Sequence, residues 1–352
     1  MNVFKHKKDI KRREYHVDIE EKLLIPRCLK VIDDFKPDVI HVFGSEWCFG
    51  LVQEHTSIPV VIHMQGCMPP YENAMFPPGY SWQEEHDAIP FWNILWKRKH
   101  SLWKKRSEER ATREERILHG CKYFMGRTEW DNAITRLYAP HSVYYKCWEA
   151  LRPQFSHCTR QWQPHVDRKK FVLLSPGPSP LKGMDVVLKT AKLLLKWTDI
   201  DFEWRIYGAT REQLERHQRK WNIDSDTCQI TCLGTLDEMQ VAKELLDCDL
   251  YVHLAYIDNS PNAVCEAMCL GVPIITTNVG GIPSLIENDK TGVLVPANEP
   301  WMTAYSIVRL FNNTSKMMEF GKQAHDVAVV RHNEKNIQSS LCDVYSSIIS
   351  NR

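Results

Sequence analysis

No stretch of the sequence approaches the roughly 18 apolar residues that a membrane span needs, and the opening MNVFKHKKDIKRREY has no apolar core of the kind a secretory signal carries. Charge of one sign is lacking as well. Lys and Arg number 45 against 44 Asp and Glu, a formal net charge of +1, which provides no bulk field to hold nucleic acid. The 12 cysteines include no CxxC pair and are scattered through the chain, so they read as small buried hydrophobes in a reducing compartment rather than as a disulfide framework or a zinc site. Cys265 and Cys269, one helical turn apart, are expected to pack in a core. Two nucleotide fingerprints are also missing. No GxGxxG follows a strand-like run, which argues against a nicotinamide enzyme. SPGPSPLKG, the one segment with P-loop spacing, lacks the Gly-Lys-Ser/Thr ending whose hydroxyl would hold magnesium, which argues against an ATPase. These absences predict a cytoplasmic protein with no nucleic-acid partner.

What is present is a soluble composition, 43% hydrophobic and 25% charged, over 352 residues. That length suits two domains better than one, because single cores stop growing near about 250–300 residues. From about Lys170 onward, short β-branched runs alternate with helical periods: FVLLS, LKGMDVVLKTAKLLLKW, FEWRIYG, TREQLERHQRKW, CQITCLG, LDEMQVAKELL, DLYVHLA, PNAVCEAMCLG, VPIITTN and TGVLVP. The alternation is that of βαβ units on a parallel sheet. The first half repeats it more loosely, with strands at DVIHVF, PVVIHM, KYFMG and SVYY, and the polar, aperiodic RPQFSHCTRQWQPHVDRKK reads as the linker. The expected fold class is α/β, with two Rossmann-like domains whose parallel sheets face a cleft. Residues 1–160 would form the first domain, 161–330 the second, and 331–352 a C-terminal helix that could cross back to the first.

The densest chemistry lies in DNSPNAVCEAMCLGVP, residues 258–273. The chain leaves the carboxyl end of DLYVHLA and enters a helix, with Ser260 expected at the N-cap, Pro261 at the first helical position and Gly271 closing the far end. Ligands of open α/β sheets collect at the carboxyl ends of strands, and a helix N-terminus offers free amides and positive dipole to a phosphate. The backbone of Asn259, Ser260, Pro261, Asn262, Ala263 and Val264 is therefore a candidate anion cradle, flanked by the carboxylates of Asp258 and Glu266.

Asp258 to Glu266, followed by AMCLGVPIITTNVGGIPSLIENDKTGVLVP, closely resembles the signature region of glycosyltransferase family 4, retaining enzymes of the GT-B fold. The resemblance covers most of residues 170–330 and, less sharply, 36–165. It implies metal-independent transfer of a sugar from a nucleotide diphosphate sugar, with no cofactor, to a glycan or polyprenyl-linked acceptor, as in surface polysaccharide assembly. Glu266 matches the glutamate that binds the donor ribose. Asp258 matches the residue that contacts donor sugar hydroxyls, one methylene shorter than the family's glutamate. Lys182 matches the lysine of the diphosphate clamp, and Gly177 stands where the clamp's arginine would be. Family members open with a strand and a glycine-rich loop, whereas this chain opens with KHKKDIKRRE and a helical HVDIEEKLLIPRCLKVIDDF, so the first domain is expected to be incomplete. That reduction sustains a competing reading, a GT-B-like protein that binds a nucleotide sugar or a partner enzyme with little turnover.

Several other features have more than one reading. Asp247-Cys248-Asp249 has the DxD form of a manganese site but falls where a helix gives way to a strand, which favours a boundary role. In GRTEWD, Thr128 and Asp131 have capping-box spacing, and Arg127 is a candidate contact on the acceptor side. Gln65 takes the place near which the family carries a histidine, His63 belongs to the preceding strand, and neither is assigned a catalytic role. CMPPYENAMFPPGYSW, residues 67–82, reads as a long surface loop that either frames the acceptor or packs over the domain. In FWNILWKRKHSLWKKRSEER, residues 91–110, Trp92, Trp96, Lys99 and Trp103 share one helical face. A core-facing aromatic stripe is the plainer expectation, and peripheral contact with an anionic membrane at the inner face is the alternative.

Overall fold

The structure, a computed structural model, describes residues 17–87, 89–165, 167–177, 179–224 and 226–351. The basic opening KHKKDIKRRE lies outside the described residues. The chain forms two compact units, Met1–Cys147 with Gln338–Arg352, and Trp148–Ile337, so the division falls at Cys147 rather than at 160 and the chain's end groups with the first unit from Gln338 onward.

In the first unit, β1 (Ile40–Phe43), β2 (Val60–His63), β3 (Tyr123–Gly126) and β4 (Val143–Lys146) pair in parallel in simple sequence order. The helix α1 (Val17–Phe35) and the end of the long helix α4 (Ile94–Gly120) share one core with them, where Leu24, Ile32, Val60, Ile62, Ile117, Leu118 and Phe124 are buried together. On the other face Val344 and Ile348 of the chain's last helix pack with Val61, Tyr123 and Met125. Two elements depart from expectation. The stretch 67–82 is not all loop: α2 (Met68–Ala74) forms because Pro69 and Pro70 occupy first-turn positions whose amides lack acceptors in any helix, and α3 (Trp82–Asp87) begins at its end. The aromatic stripe of 91–110 is not core-facing. Trp92 and Trp96 are 73% and 61% exposed, Trp103 is 44% exposed, and Phe91, Ile94 and Leu95 stand out beside them.

The second unit carries a six-stranded sheet in the order β10-β9-β8-β5-β6-β7, all parallel. Its strands are β5 (Phe171–Pro176), β6 (Phe202–Tyr207), β7 (Ile230–Gly234), β8 (Leu250–His253), β9 (Ile274–Thr277) and β10 (Val293–Val295). Helices cover both faces, so β8 and β9 are buried at every position. This explains why they read as unbroken apolar runs instead of alternating patterns. The chain builds outward from β5 in one direction through β6 and β7 and in the other through β8, β9 and β10. The strand order therefore reverses between β5 and β8, and at such a switch point the loops leaving the two strands diverge and open a crevice. Among the described residues no helix is long and apolar enough to cross a membrane.

Candidate active site

The two loops that leave this switch point carry the residues singled out by sequence. After β5 the chain passes Gly177 to a short 3-10 turn, Pro180–Lys182; after β8 it passes Asp258 to a helix at Asn262–Cys269. Because β5 and β8 are neighbours, the side chains meet, and the Lys182 ammonium donates to Asp258 Oδ2. Asp258 Oδ2 also accepts from His253 Nε2 at 3.1 Å, and Oδ1 accepts from the Asn259 amide at 3.1 Å. Burial alone would favour the neutral acid, but the His253 hydrogen bond and the Lys182 charge outweigh it and hold Asp258 well below the usual carboxylate range. Burial lowers His253 in turn, against the pull of Asp258, so a neutral imidazole donates to an ionised carboxylate.

The loop is fixed from behind. Gly281 donates its amide to the Asp258 carbonyl at 2.9 Å, and Gly280, at φ +51°, lies so close that a Cβ would fall 2.0 Å from that carbonyl oxygen. The Gly-Gly turn that follows β9 is thus the support on which the Asp258 loop rests. Gly177 has an equally local cause. A Cβ there would sit 2.8 Å from the Gly208 carbonyl oxygen, so the backbone after β6 occupies the space through which a clamp arginine would leave the chain.

Glu266 is 4% exposed, and its Oε1 accepts from Arg152 Nη2 at 2.7 Å and Nε at 3.1 Å. Burial raises its pKa and Arg152 opposes the rise. The remaining cradle residues divide. Ser260 is not the N-cap: its hydroxyl donates to Glu149 Oε1 at 2.6 Å, and Pro261 takes the cap position without a side-chain bond. The Val264 amide is bonded to the Pro261 carbonyl at 2.9 Å and leaves the cradle, while the amides of Asn262 and Ala263 are the first-turn groups that a helix leaves for outside acceptors.

In the first unit Arg127 follows β3. It is buried, and its Nη2 donates to the Gln65 carbonyl at 2.6 Å. The expected capping box is formed, with Thr128 and Asp131 closing the helix Glu129–Tyr138. His63 ends β2, stacked near His41 and Phe43. Asp247 and Asp249 are both engaged structurally. Asp247 binds Arg205 Nη1 at 2.7 Å and Arg168 Nη2 at 2.8 Å, and Asp249 accepts the Val172 amide at 2.7 Å.

Sequence reading missed His253 and Arg152. His253 had a usable signal, the last position of a buried strand at the switch point. Arg152 had none, lying in a stretch that reads as linker. An open groove of about 330 Å³, lined in part by Phe155, Cys269, His325 and His332, lies toward the opposite end of the helix that begins at Asn262 and is not part of this site.

Residues 159–327, slightly less than half of the chain, match the family model described as glycosyl transferases group 1. This region belongs to that family. Among curated proteins, the D-inositol 3-phosphate glycosyltransferase of Paenarthrobacter aurescens is 26% identical over 223 residues, which cover 60% of this chain and 54% of that protein. The chain thus spans about half the length of that relative. The glycosyl transferases group 1 region and the unit before it share the GT-B fold of solved structures. Sucrose-phosphate synthase from Thermosynechococcus elongatus superposes with TM-score 0.72 at 15% identity, over 97% of this chain and 80% of that one. HepE of Anabaena, solved in complex with UDP-glucose, superposes with TM-score 0.67 at 13% identity, over 92% and 82%.

Proposed function

We propose that the protein is a retaining, metal-independent glycosyltransferase that moves a sugar from a nucleotide diphosphate sugar to a glycan or lipid-linked acceptor, in surface polysaccharide assembly. The observation that carries the reading is the meeting of Lys182 and Asp258 at the strand switch point, beside a helix N-terminus with free amides, within a glycosyl transferases group 1 region. The departing diphosphate gains negative charge as the bond to the sugar breaks. A lysine and two backbone amides fixed in advance are the groups that stabilise such charge. Asp258 holds Lys182 in place; its own oxygens are committed to Lys182, His253 and Asn259, so its part is to position the lysine. Glu266 has only Oε1 engaged, by Arg152, which leaves Oε2 for the ribose hydroxyls.

HepE's complex with UDP-glucose makes UDP-sugars the first donors to try. The test is cleavage of a panel of UDP-, GDP- and ADP-sugars by the full chain in excess EDTA, with the anomer of the product read by NMR. Cleavage in EDTA that manganese does not stimulate, giving the donor's own anomer, is the expected result. A strict manganese requirement or an inverted product would overturn it, and donor binding without cleavage of any would leave the nucleotide-sugar-binding protein as the correct reading.

The exposed tryptophans and basic residues of 91–110 support peripheral contact with an anionic membrane at the cytoplasmic face, where a lipid-linked acceptor would be met.

A further inference from the structure

A second cluster in the second unit has no part in this chemistry. Glu149, Cys265 and His332 are 116 and 67 residues apart in sequence, yet one ligand atom from each lies within 4.8 Å of the other two. The Glu149 carboxylate is nearly buried, Cys265 is fully buried and His332 is 3% exposed. His332 Nδ1 bonds the Glu149 carbonyl oxygen at 2.9 Å, which fixes the proton on Nδ1 and leaves the lone pair on Nε2. Nε2 is buried and has no hydrogen-bond partner. A buried acceptor without a donor is costly. A histidine oriented through one nitrogen by a carbonyl, with the other nitrogen bare, is the arrangement seen at metal ligands.

We propose that Glu149, Cys265 and His332 bind a zinc ion. Three protein ligands of the Glu, Cys and His types with a water in the fourth position suit zinc's tetrahedral preference and its taste for mixed oxygen, sulfur and nitrogen donors. Bond lengths of about 2.0–2.3 Å require ligand atoms about 3.3–3.8 Å apart. Glu149 Oε1 and Cys265 Sγ are already 3.7 Å apart, so closure asks for shifts of roughly 1 Å at most at the third ligand. Binding exchanges the Cys265 thiol proton for the metal and releases that proton to solvent. Glu149 Oε2 stays beside Arg331 Nη2 at 3.4 Å, which offsets the charge of the second oxygen. His332 also borders the open groove, which gives an ion a path inward. The ion would tie the helix that starts at Asn262 to Glu149 and to the end of the helix Thr314–Arg331, steadying the segment that carries Ser260; it does not touch the reacting atoms. This inference does not rest on the proposed activity.

The test is titration of the EDTA-treated full chain with cobalt(II), followed by displacement with zinc. The expected result is one equivalent bound with a thiolate-to-cobalt charge-transfer band that zinc abolishes. Cys265→Ser should remove the band, and His332→Gln should weaken binding by about 10- to 100-fold or more. Glu149→Gln, at the least buried of the three, should weaken it by about 10-fold and guards against a fold defect in the other two. A wild-type chain that takes up no cobalt, binds it without the thiolate band, or binds it unchanged in the Glu149 variant overturns the proposal.

Discussion

The two parallel sheets are held by different means. In the second unit, β5, β6, β8 and β9 carry a continuous apolar core in which Trp204, Tyr251, Phe202 and Leu173 are almost wholly buried. Some of its buried polar groups serve that core: Trp204 Nε1 donates to Ser175 Oγ at 2.9 Å, and Ser175 passes a 2.6 Å bond to the Val252 carbonyl. The first unit has a smaller core and an edge strand, β4, with both ends exposed. It relies in addition on buried charge. Glu20, wholly buried, accepts from Arg113 at 2.9 Å, Arg110 at 3.1 Å and Arg106 at 3.2 Å, so one carboxylate joins α1 to the long helix. Apolar burial is non-directional and tolerates local rearrangement, whereas a buried carboxylate needs its partners.

The contrast is broken most severely by two substitutions of similar cost and opposite cause. Trp204→Ala should destabilise the second unit by about 3–5 kcal/mol through the cavity it leaves. Glu20→Gln should cost the first unit about 3–5 kcal/mol because three arginines lose their counter-charge. Denaturant unfolding would measure both. The cause is separated by Arg113→Met made on the Glu20→Gln background: relieving buried cations should recover part of the loss, and no recovery would show that the ion cluster is not what holds the unit.

The second unit also carries a charged pair, Lys182 and Asp258, at its switch point, where function can be tested. Lys182→Ala should lower single-turnover donor cleavage by about 10²- to 10³-fold with a smaller change in donor affinity, because the charge it meets grows in the transition state. Glu266→Gln should do the reverse, raising the donor dissociation constant about 10-fold or more at little cost to turnover. Calorimetry beside single-turnover kinetics separates the two, and equal losses of affinity in both variants would place Lys182 in binding alone.

Legibility in the sequence followed the same division. All ten strands stood where short apolar or alternating runs were read, most plainly β2, β8 and β9, because strands buried on both faces must be apolar along their length. Lys182, Asp258 and Glu266 were singled out through the family resemblance of the turn, helix start and glycine pair around them, and the structure sets Lys182 against Asp258. Ser260 was misread as a cap because spacing shows that a hydroxyl could turn back on its helix but not that Glu149, 111 residues away, would take it. The helix at Met68–Ala74 was hidden by its prolines, which mark a loop and a helix's first turn equally well. Burial was misjudged for Trp92 and Trp96, since a period gives a face and not what that face meets.

A smaller effect depends on pH. Glu114, buried in the first unit, accepts from the Ser45 hydroxyl and the Met68 amide, yet burial pushes its pKa up from 4.5 to about 7. The folded state then holds a proton that the unfolded chain has released, so this group's contribution falls as pH rises from about 4.5 to about 7 and levels off above, a loss of about 3 kcal/mol in all. Glu20 and Asp258, held below the usual range, act in the opposite sense, losing stability as pH falls. Glu114→Gln isolates the first term. Its stability relative to wild type should improve steadily across that window, and a difference independent of pH would show that Glu114 is ionised throughout.

The least effect on the fold is expected where the first unit is most apolar outside. Trp92 and Trp96 stand 73% and 61% exposed beside Lys97, Arg98 and Lys99, so removing them leaves no cavity. Trp92→Ala with Trp96→Ala should change unfolding free energy by no more than about 0.5 kcal/mol for each substitution. If the patch meets a membrane, the same pair should reduce sedimentation with vesicles containing anionic phospholipid by about 10-fold, since indole rings enter the headgroup region while the basic residues answer its charge. Wild-type binding should fall with added salt, and vesicles of zwitterionic lipid alone should bind weakly. Stability lost without any change in vesicle binding would return these tryptophans to a packing role, and binding that survives the double substitution would move the contact elsewhere on the chain.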